Sequence, residues 1–512
     1  MAQHPFGLGA FGIAVLCTRQ AWAAQAPLCW RRLTELSTGR QYMGAAMLDS
    51  PGVVMFAGGL VPGDQGNLDG TVDIIAQLDP PQQPLQGQQA LSLPRTDIGS
   101  VATARAVYFA GGCGIAQPDN DVDSAPPPPH LSVKNCQPSD NLDIFTPGAS
   151  TGDGRHGDPV ATASAVTATT HRLNEPKYAA TTGVFWTGRA DEGTEWATTP
   201  HVMVAGGIIP ASVGGNPTQY TATDTVDIIR EDSVDPVTNK VHVSILQVQR
   251  LPYPPRFDMS SCCFKHICVL AGGRVSMDGF YSDRVEVWDA KSWAFQSSPE
   301  HTLSEARYSM GTATIEISLA EGKRAVGMFA GGVSNTGSSL LVDMYDFHNG
   351  RVMPRMVMPA VSGPTSGVIL AREVAAFVSD TGEIDIFNGT SLCWLSYKID
   401  DMPQGASVVG RSALWFFNAS SPGRESGHAP LMDSSAYVGG GIHGPGGDIS
   451  VDVNELRWKP GGRLCVGNQE LRPRQRVCGK LAPGGAINDF TPHEEVSLCY
   501  HAPAMPNNTH AS

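Results

Sequence analysis

The chain has 512 residues, of which 41% are hydrophobic and 16% charged, with 57 glycines and 38 prolines. That balance excludes a disordered chain and favours many short strands joined by turns over long helices. A formal charge of −14 repels phosphate backbones, so nucleic acid is excluded as an expected partner.

In chain order the first element is an apolar run, Phe6 to Cys17, followed by the small-residue site Ala21-Trp22-Ala23. It predicts a signal peptide over 1–23 and a mature chain that is secreted, extracellular or lumenal. The run is too short for a membrane span, and no other stretch is long or apolar enough, so none is expected. The C-terminus, from Asn507 to Ser512, is polar and carries no anchor signal. Losing Cys17 with the signal leaves ten of the 11 cysteines, an even number that suits disulfides. The N-x-S/T sequons at Asn388, Asn418 and Asn507 are candidate glycosylation sites of a secreted glycoprotein.

From Arg40 onward a unit recurs. The first copy runs Arg40-Gln41-Tyr42-Met43-Gly44, then the apolar strand Val54 to Ala57 closed by Gly58-Gly59, a loop, and Val72-Asp73-Ile74-Ile75. The second has Arg95 to Gly99, Val107 to Gly112 and Leu142-Asp143-Ile144-Phe145. Lys177 to Ala180, Val202 to Gly207 and Val226-Asp227-Ile228-Ile229 form the third. The fourth has Arg256 to Ser260, Cys268 to Gly273, Val285-Glu286-Val287-Trp288 and a Trp293 strand. The fifth has Arg307 to Gly311, Gly327 to Gly332 and Val342-Asp343-Met344-Tyr345. A sixth keeps Ile384-Asp385-Ile386-Phe387 and Trp394, although its glycine pair has decayed to Ser379-Asp380. The continuous apolar runs predict strands buried on both faces, and the glycines allow close backbone approaches. A seventh unit is expected from Val408, with Ser412 to Phe417 as its second strand and Val451 to Asn454 or Glu455 to Trp458 as its third.

Two cysteine pairs stand within the repeat. Cys113 and Cys136 bracket the second unit's long loop and are expected to close it. A two-residue turn at Lys265-His266 sets Cys263 opposite Cys268 within disulfide reach. Spacing and strand alternation argue against a metal site from Cys262, Cys263, His266 and Cys268. Cys465, Cys478 and Cys499 follow the last unit and predict a stapled C-terminal tail, with Cys29 a further partner. Asn388-Gly389 also reads as a type I′ hairpin turn.

The order of basic residue, Gly-Gly, aromatic strand and Trp strand resembles the Kelch repeat over Cys29 to Trp458. The resemblance implies an all-β Kelch-type β-propeller of about seven four-stranded blades, six being the alternative. Cys29-Trp30-Arg31-Arg32-Leu33 is the expected N-terminal strand that closes the ring and removes its open edges. The domain plan is a signal peptide over 1–23, the propeller over 27–460 and a Cys-containing tail over 461–512. Loops between second and third strands are long in the first three units, and by resemblance they gather on the face where Kelch domains bind partners. In such a ring Arg40, Arg95, Lys177, Arg256 and Arg307 fall around one mouth of the channel. They are read either as blade-to-blade links or as a binding site for an acidic ligand. The recurring carboxylates are expected to be structural.

Catalytic motifs are missing. Gly148 to Gly152 matches G-x-S-x-G but lies in a Gly-rich loop, and there is neither a P-loop nor an H-E-x-x-H. No catalytic residue, metal or cofactor is assigned. The expected function is a recognition or scaffold module binding a protein or carbohydrate through its loop face. The alternative is a secreted propeller enzyme, either a galactose-oxidase-like copper oxidase, for which Tyr500, His501 and His443 are noted, or a sugar-acid isomerase.

Overall fold

The structure is a computed structural model. It describes residues 28–48, 53–61, 67–76, 85–115, 136–147, 166–188, 199–211, 220–246, 249–277, 279–296, 301–319, 322–361, 363–379, 381–399, 402, 407–409, 434–440, 442–443, 448–458, 469–471, 473–478, 480–481 and 487–488. Every regular element among them is a β-strand.

Seven antiparallel sheets of four or five strands follow one another among the described residues. Sheet I is Gly44–Leu48, Val53–Ala57, Thr71–Ala76 and Leu85–Ala90. Sheet II takes Gly99–Ala102, Val107–Ala110, Cys136–Pro147 and Val166–Lys177, and sheet III takes Thr181–Thr187, Thr199–Ala205, Thr225–Val234 and Val241–Ile245. Sheet IV is Ser260–Phe264, Ile267–Ala271, Val285–Asp289 and Ala294–Gln296. Sheet V is Gly311–Leu319, Gly322–Ala330, Leu341–Asp346 and Arg351–Val357. Sheet VI is Thr365–Ala371, Val374–Ser379, Glu383–Asn388 and Cys393–Lys398, with Gln475–Cys478 added at its outer edge. Sheet VII is Ser407–Val409, Ser434–Gly439, Asp452–Trp458 and, from the far end of the chain, Leu28–Glu35, with Gln469–Leu471 outside it.

The second strand of sheet I is buried along its whole length, as an all-apolar run requires. Each sheet therefore packs on both of its neighbours. Met55 and Ile74 of sheet I share a core with Phe109 and Phe145 of sheet II. Similar cores join each later pair of sheets up to VI and VII. Tyr437 and Val453 of sheet VII then pack with Val54 and Phe56 of sheet I. First strands of successive sheets lie side by side, and Ser407–Val409 lies beside Gly44–Leu48. The arrangement is propeller-like.

Four local expectations are corrected. The second strand of sheet VII is Ser434–Gly439, whose Tyr437-Val438-Gly439-Gly440 is the unrecognised copy of the glycine-pair motif; Ser412 to Phe417 lies outside the described residues. Its third strand, Asp452–Trp458, runs across both segments that had been alternatives. Trp293 precedes the fourth strand of sheet IV instead of lying in it, at a left-handed φ of 52°. Asn388 and Cys393 pair across a four-residue loop with Leu392 left-handed, so Asn388-Gly389 is not a two-residue turn. There the Asn388 carboxamide oxygen accepts the N–H groups of Thr390 and Ser391, which favours the longer loop.

Candidate binding site at the mouth of the central cavity

The five repeated cations are fully buried. Arg40 binds Asp73, and Arg256 binds Glu286. Arg95 reaches Asp143 at 2.9 Å, Lys177 reaches Asp227 at 2.7 Å and Arg307 reaches Asp343 at 2.5 Å. Each pair is tied further into its surroundings. Ser37, Ser92, Asn174 and Ser304, each three residues before its cation, donate backbone N–H groups to Asp73, Asp143, Asp227 and Asp343. Burial lowers the pKa of Arg40, Arg95 and Arg307, and that of Arg256 to about 10, against the pull of nearby carboxylates. The reading of Arg40, Arg95, Lys177, Arg256 and Arg307 as a ligand site at the channel mouth is thereby corrected. Their charges are turned inward and neutralised, so they face no ligand.

The same loop joins one sheet to the next. The N–H of the second glycine of each pair donates to the carbonyl of the next unit's cation: Gly59 to Arg95, Gly112 to Lys177, Gly207 to Arg256 and Gly273 to Arg307, all at 2.9 Å. Gly332 donates likewise to Gly363 at 2.7 Å, which places Gly363 at the cation's position in sheet VI. There Asp385 accepts the N–H groups of Ala360 and Val361 instead. In sheet VII Asn454 pairs with Val438 where Asp73 pairs with Phe56, so the carboxylate too is replaced. The adjacent Glu455 binds Arg31 of the N-terminal strand at 2.5 Å.

Two residues after each cation the chain turns sharply into the first strand. Tyr42, Asp97, Ala179, Asp258 and Ser309 take left-handed φ values of 54°, 51°, 52°, 52° and 51°. That conformation costs a non-glycine residue about 1–2 kcal/mol. It is held by bonds between sheets: the Asp258 N–H donates to Ala179 O at 3.1 Å, Ser309 to Asp258 O at 3.3 Å, and Thr365 to Ser309 O at 3.2 Å.

These five residues line a cavity of about 730 Å³ into which every sheet from II to VI sends part of its first strand. Asp97 and Asp258 bring carboxylates to it, and Val378, Met402 and Val408 form an apolar side. Behind Asp258 stands Arg274, 3.5 Å away and itself buried, its guanidinium between the rings of Phe257 and Tyr308 at 5.1 and 4.7 Å. Tyr281 packs on Tyr308 with centroids 4.9 Å apart. Burial pushes the Asp258 carboxyl up to about 6, opposed by Arg274. The loops after the glycine pairs belong to this face, because bridges Gln41–Leu60, Thr96–Cys113, Tyr178–Ile208 and Phe257–Arg274 pin them beside the mouth. Phe280, in one of those loops, is 71% exposed.

Sequence reasoning missed Asp97, Asp258 and Arg274. The signal was a fixed offset: the residue two beyond each cation varies as Tyr, Asp, Ala, Asp and Ser, while the next is apolar in every unit (Met43, Ile98, Ala180, Met259 and Met310).

Cys263 and Cys268 form a disulfide with Cα atoms 4.1 Å apart. Cys262 is a free thiol on the opposite face, buried against Met328 O, and burial pushes its pKa up to about 12. Cys29, Cys113 and Cys393 are disulfide-bonded. In the strand pairing Cys478 stands opposite Cys393, and Cys136 opposite Ile115. Cys465, Asn418, Asn507, Tyr500 and His501 lie outside the described residues, and His443 sits in a two-residue strand. No helix among the described residues is long and apolar enough to cross a membrane.

No family model and no curated protein matches the chain. Among solved structures, the one described as "Structure of YjhT" aligns over 82% of this chain and 95% of that chain, at 12% identity and a TM-score of 0.40. At that level the similarity bears on neither site nor function.

Proposed function

We propose that the chain is a closed seven-bladed Kelch-type propeller, exported to an oxidising compartment, that recognises a protein or carbohydrate ligand at its axial mouth. The observation that carries this reading is the ring of strained, left-handed residues around a cavity of about 730 Å³, on the face to which the long loops are pinned. The Cys263–Cys268 disulfide supports export. On this reading Leu28–Glu35 is the strand that completes the seventh blade, and 461–512 is a tail stapled through cysteines such as Cys465 and Cys478.

The test is a binding screen of the secreted protein against glycans and extracellular proteins, repeated with Ala179→Tyr and Ser309→Tyr. Tyr42 already occupies the equivalent place in the first unit, so the fold accepts tyrosine there while the mouth narrows. Loss of the captured ligand in both variants supports the site, and unchanged binding rejects it. Amino-terminal sequencing of the same material is expected to begin at Ala24.

A second reading is favoured by Asp258. A carboxyl held near 6 beside an arginine and two tyrosines is equipped for proton transfer to a sugar or small carbonyl compound. Under that reading Asp258→Asn abolishes turnover while leaving ligand binding measurable.

A further inference from the structure

Sheets IV, V and VI each end their third strand on a side-chain oxygen that accepts the backbone N–H two residues on. Asp289 accepts from Lys291 at 2.9 Å, Asp346 from His348 at 2.8 Å and Asn388 from Thr390 at 2.9 Å. In sheets IV and V the second carboxylate oxygen is also used. Gln296 Nε2 donates to Asp289 Oδ2 at 3.0 Å, while Asn349 Nδ2 and Arg324 donate to Asp346 Oδ2 at 2.7 and 2.9 Å. Sheet VI has Nδ2 of Asn388 in place of that oxygen, and this nitrogen is neither buried nor hydrogen-bonded among the described residues. The cap needs only the oxygen, so an aspartate would serve it equally and the amide nitrogen has no structural task. Thr390 is exposed, and its hydroxyl makes no hydrogen bond among the described residues.

The residue between them is fixed. The Gly389 N–H donates to Glu373 O at 2.7 Å, and the Ser318 N–H donates to Gly389 O at 2.9 Å. A Cβ on Gly389 would lie 2.4 Å from Glu316 O, so glycine is what seats this loop against sheet V. The loop stands at the end of its sheet away from the mouth. Asn388 pairs with Val374 at the start of the second strand, whereas Val378 and Ser379 at its finish line the cavity.

We infer that Asn388 carries an N-linked glycan through Nδ2, at the end of sheet VI opposite the mouth. Asn388-Gly389-Thr390 is the acceptor triplet, and the atom that takes the sugar is the one the fold leaves unused. The donor is an oligosaccharide joined by its anomeric carbon to a lipid diphosphate. Nδ2 gives up one proton as the C–N bond forms, and the anomeric C–O bond breaks with its electron pair leaving on the diphosphate. Oδ1 takes no part, so the bonds from Thr390 and Ser391 survive the modification. The assignment rests on export and adds to it a covalent site that leaves the mouth open.

The experiment is peptide mass spectrometry of the full chain secreted by a eukaryotic host and treated with peptide-N-glycosidase in heavy-oxygen water. Asn388 is expected back as aspartate bearing heavy oxygen, a label that deamidation before the treatment does not supply. Thr390→Ala should lose this glycan and Thr390→Ser keep it. Both variants retain the backbone N–H that Asn388 caps, and equal urea midpoints establish that they are folded alike. Unmodified Asn388 in a chain that begins at Ala24 overturns the inference and leaves export standing. Sugar at Asn388 that persists in Thr390→Ala overturns it as well. A chain that keeps residues 1–23 and carries no sugar overturns both export and the glycan.

Discussion

Desolvating a guanidinium or an ammonium costs several kcal/mol, and each of the five repeated ion pairs offsets that by holding the cation against a carboxylate and backbone carbonyls. Arg307, for instance, binds Asp343, Leu341 O at 2.6 Å and Phe329 O at 3.2 Å. Arg307→Met alone strands the Asp343 carboxylate and is expected to lower the unfolding free energy by about 3–5 kcal/mol. Adding Asp343→Leu should recover most of that loss, and urea denaturation of the two variants measures both effects. His201 is a second buried group with a legible consequence. It stacks on Phe185 at 5.1 Å, and its Nδ1–H donates to Thr199 O at 3.0 Å, leaving Nε2 without a partner. Burial lowers its pKa from 6.5 to about 4. The unfolded chain therefore binds this proton first as pH falls, so the stability due to neutral His201 is present above pH 6.5 and is lost towards pH 4. The loss is at most about 3 kcal/mol. His201→Phe should flatten this part of the profile, read as the shift in urea midpoint between pH 7 and pH 5; an unchanged shift would rule out His201 as its source.

The third-to-fourth strand hairpins explain why some elements were harder to read than others. Asp289, Asp346 and Asn388 each end a third strand and cap the following loop with a side-chain oxygen, and that loop closes on Trp293, Gly350 or Leu392 in the left-handed region. Only Gly350 announces the turn by residue type; Trp293 and Leu392 hold it through packing, which a sequence does not display. The glycine-pair strands and acidic third strands were legible because one steric demand, a backbone carbonyl from the next unit at the glycine, recurs with little variation. Sheet VII was misassigned at its second strand because its motif follows a long insertion and its cation and carboxylate are both gone. The tail strands were not foreseen as strands either. Gln475–Cys478 pairs with Cys393–Lys398, and Gln469–Leu471 pairs with Leu28–Glu35, each covering an outer edge. Leu471 and Val477 are buried there. Removing 459–512 is expected to cost about 3–6 kcal/mol from those two side chains and to promote self-association. Urea midpoints and size-exclusion chromatography check it.

At the scale of the molecule the structure repeats one joint, and the joint between the last sheet and the first is built like the others. A Cβ on Gly58 would lie 2.3 Å from Arg95 O, and on Gly272 2.3 Å from Arg307 O. On Gly440 of sheet VII it would lie 2.3 Å from Arg40 O of the first unit. Gly440→Ala is therefore expected to destabilise as strongly as Gly58→Ala. Gly337→Ala, with open space around its Cβ, should carry only the conformational cost of about 1–2 kcal/mol. Comparable losses for Gly337 and Gly440 would mean that the last joint is not packed. The lining of the cavity could not be read from the chain. Asp97 and Asp258 stand far apart in sequence among dissimilar residues, and only the packing of successive sheets brings them to one cavity.

Native-state amide hydrogen exchange of the strand Leu28–Glu35 tests the closed ring, on which the mouth depends, most directly. It lies between Asp452–Trp458 and Gln469–Leu471, with Arg31 bound to buried Glu455. The account predicts protection within about tenfold of Leu341–Asp346 in the middle of sheet V, lost together with that of sheet VII in Gly440→Ala. Exchange at the rate of an unstructured chain, with sheet V protected, would contradict it.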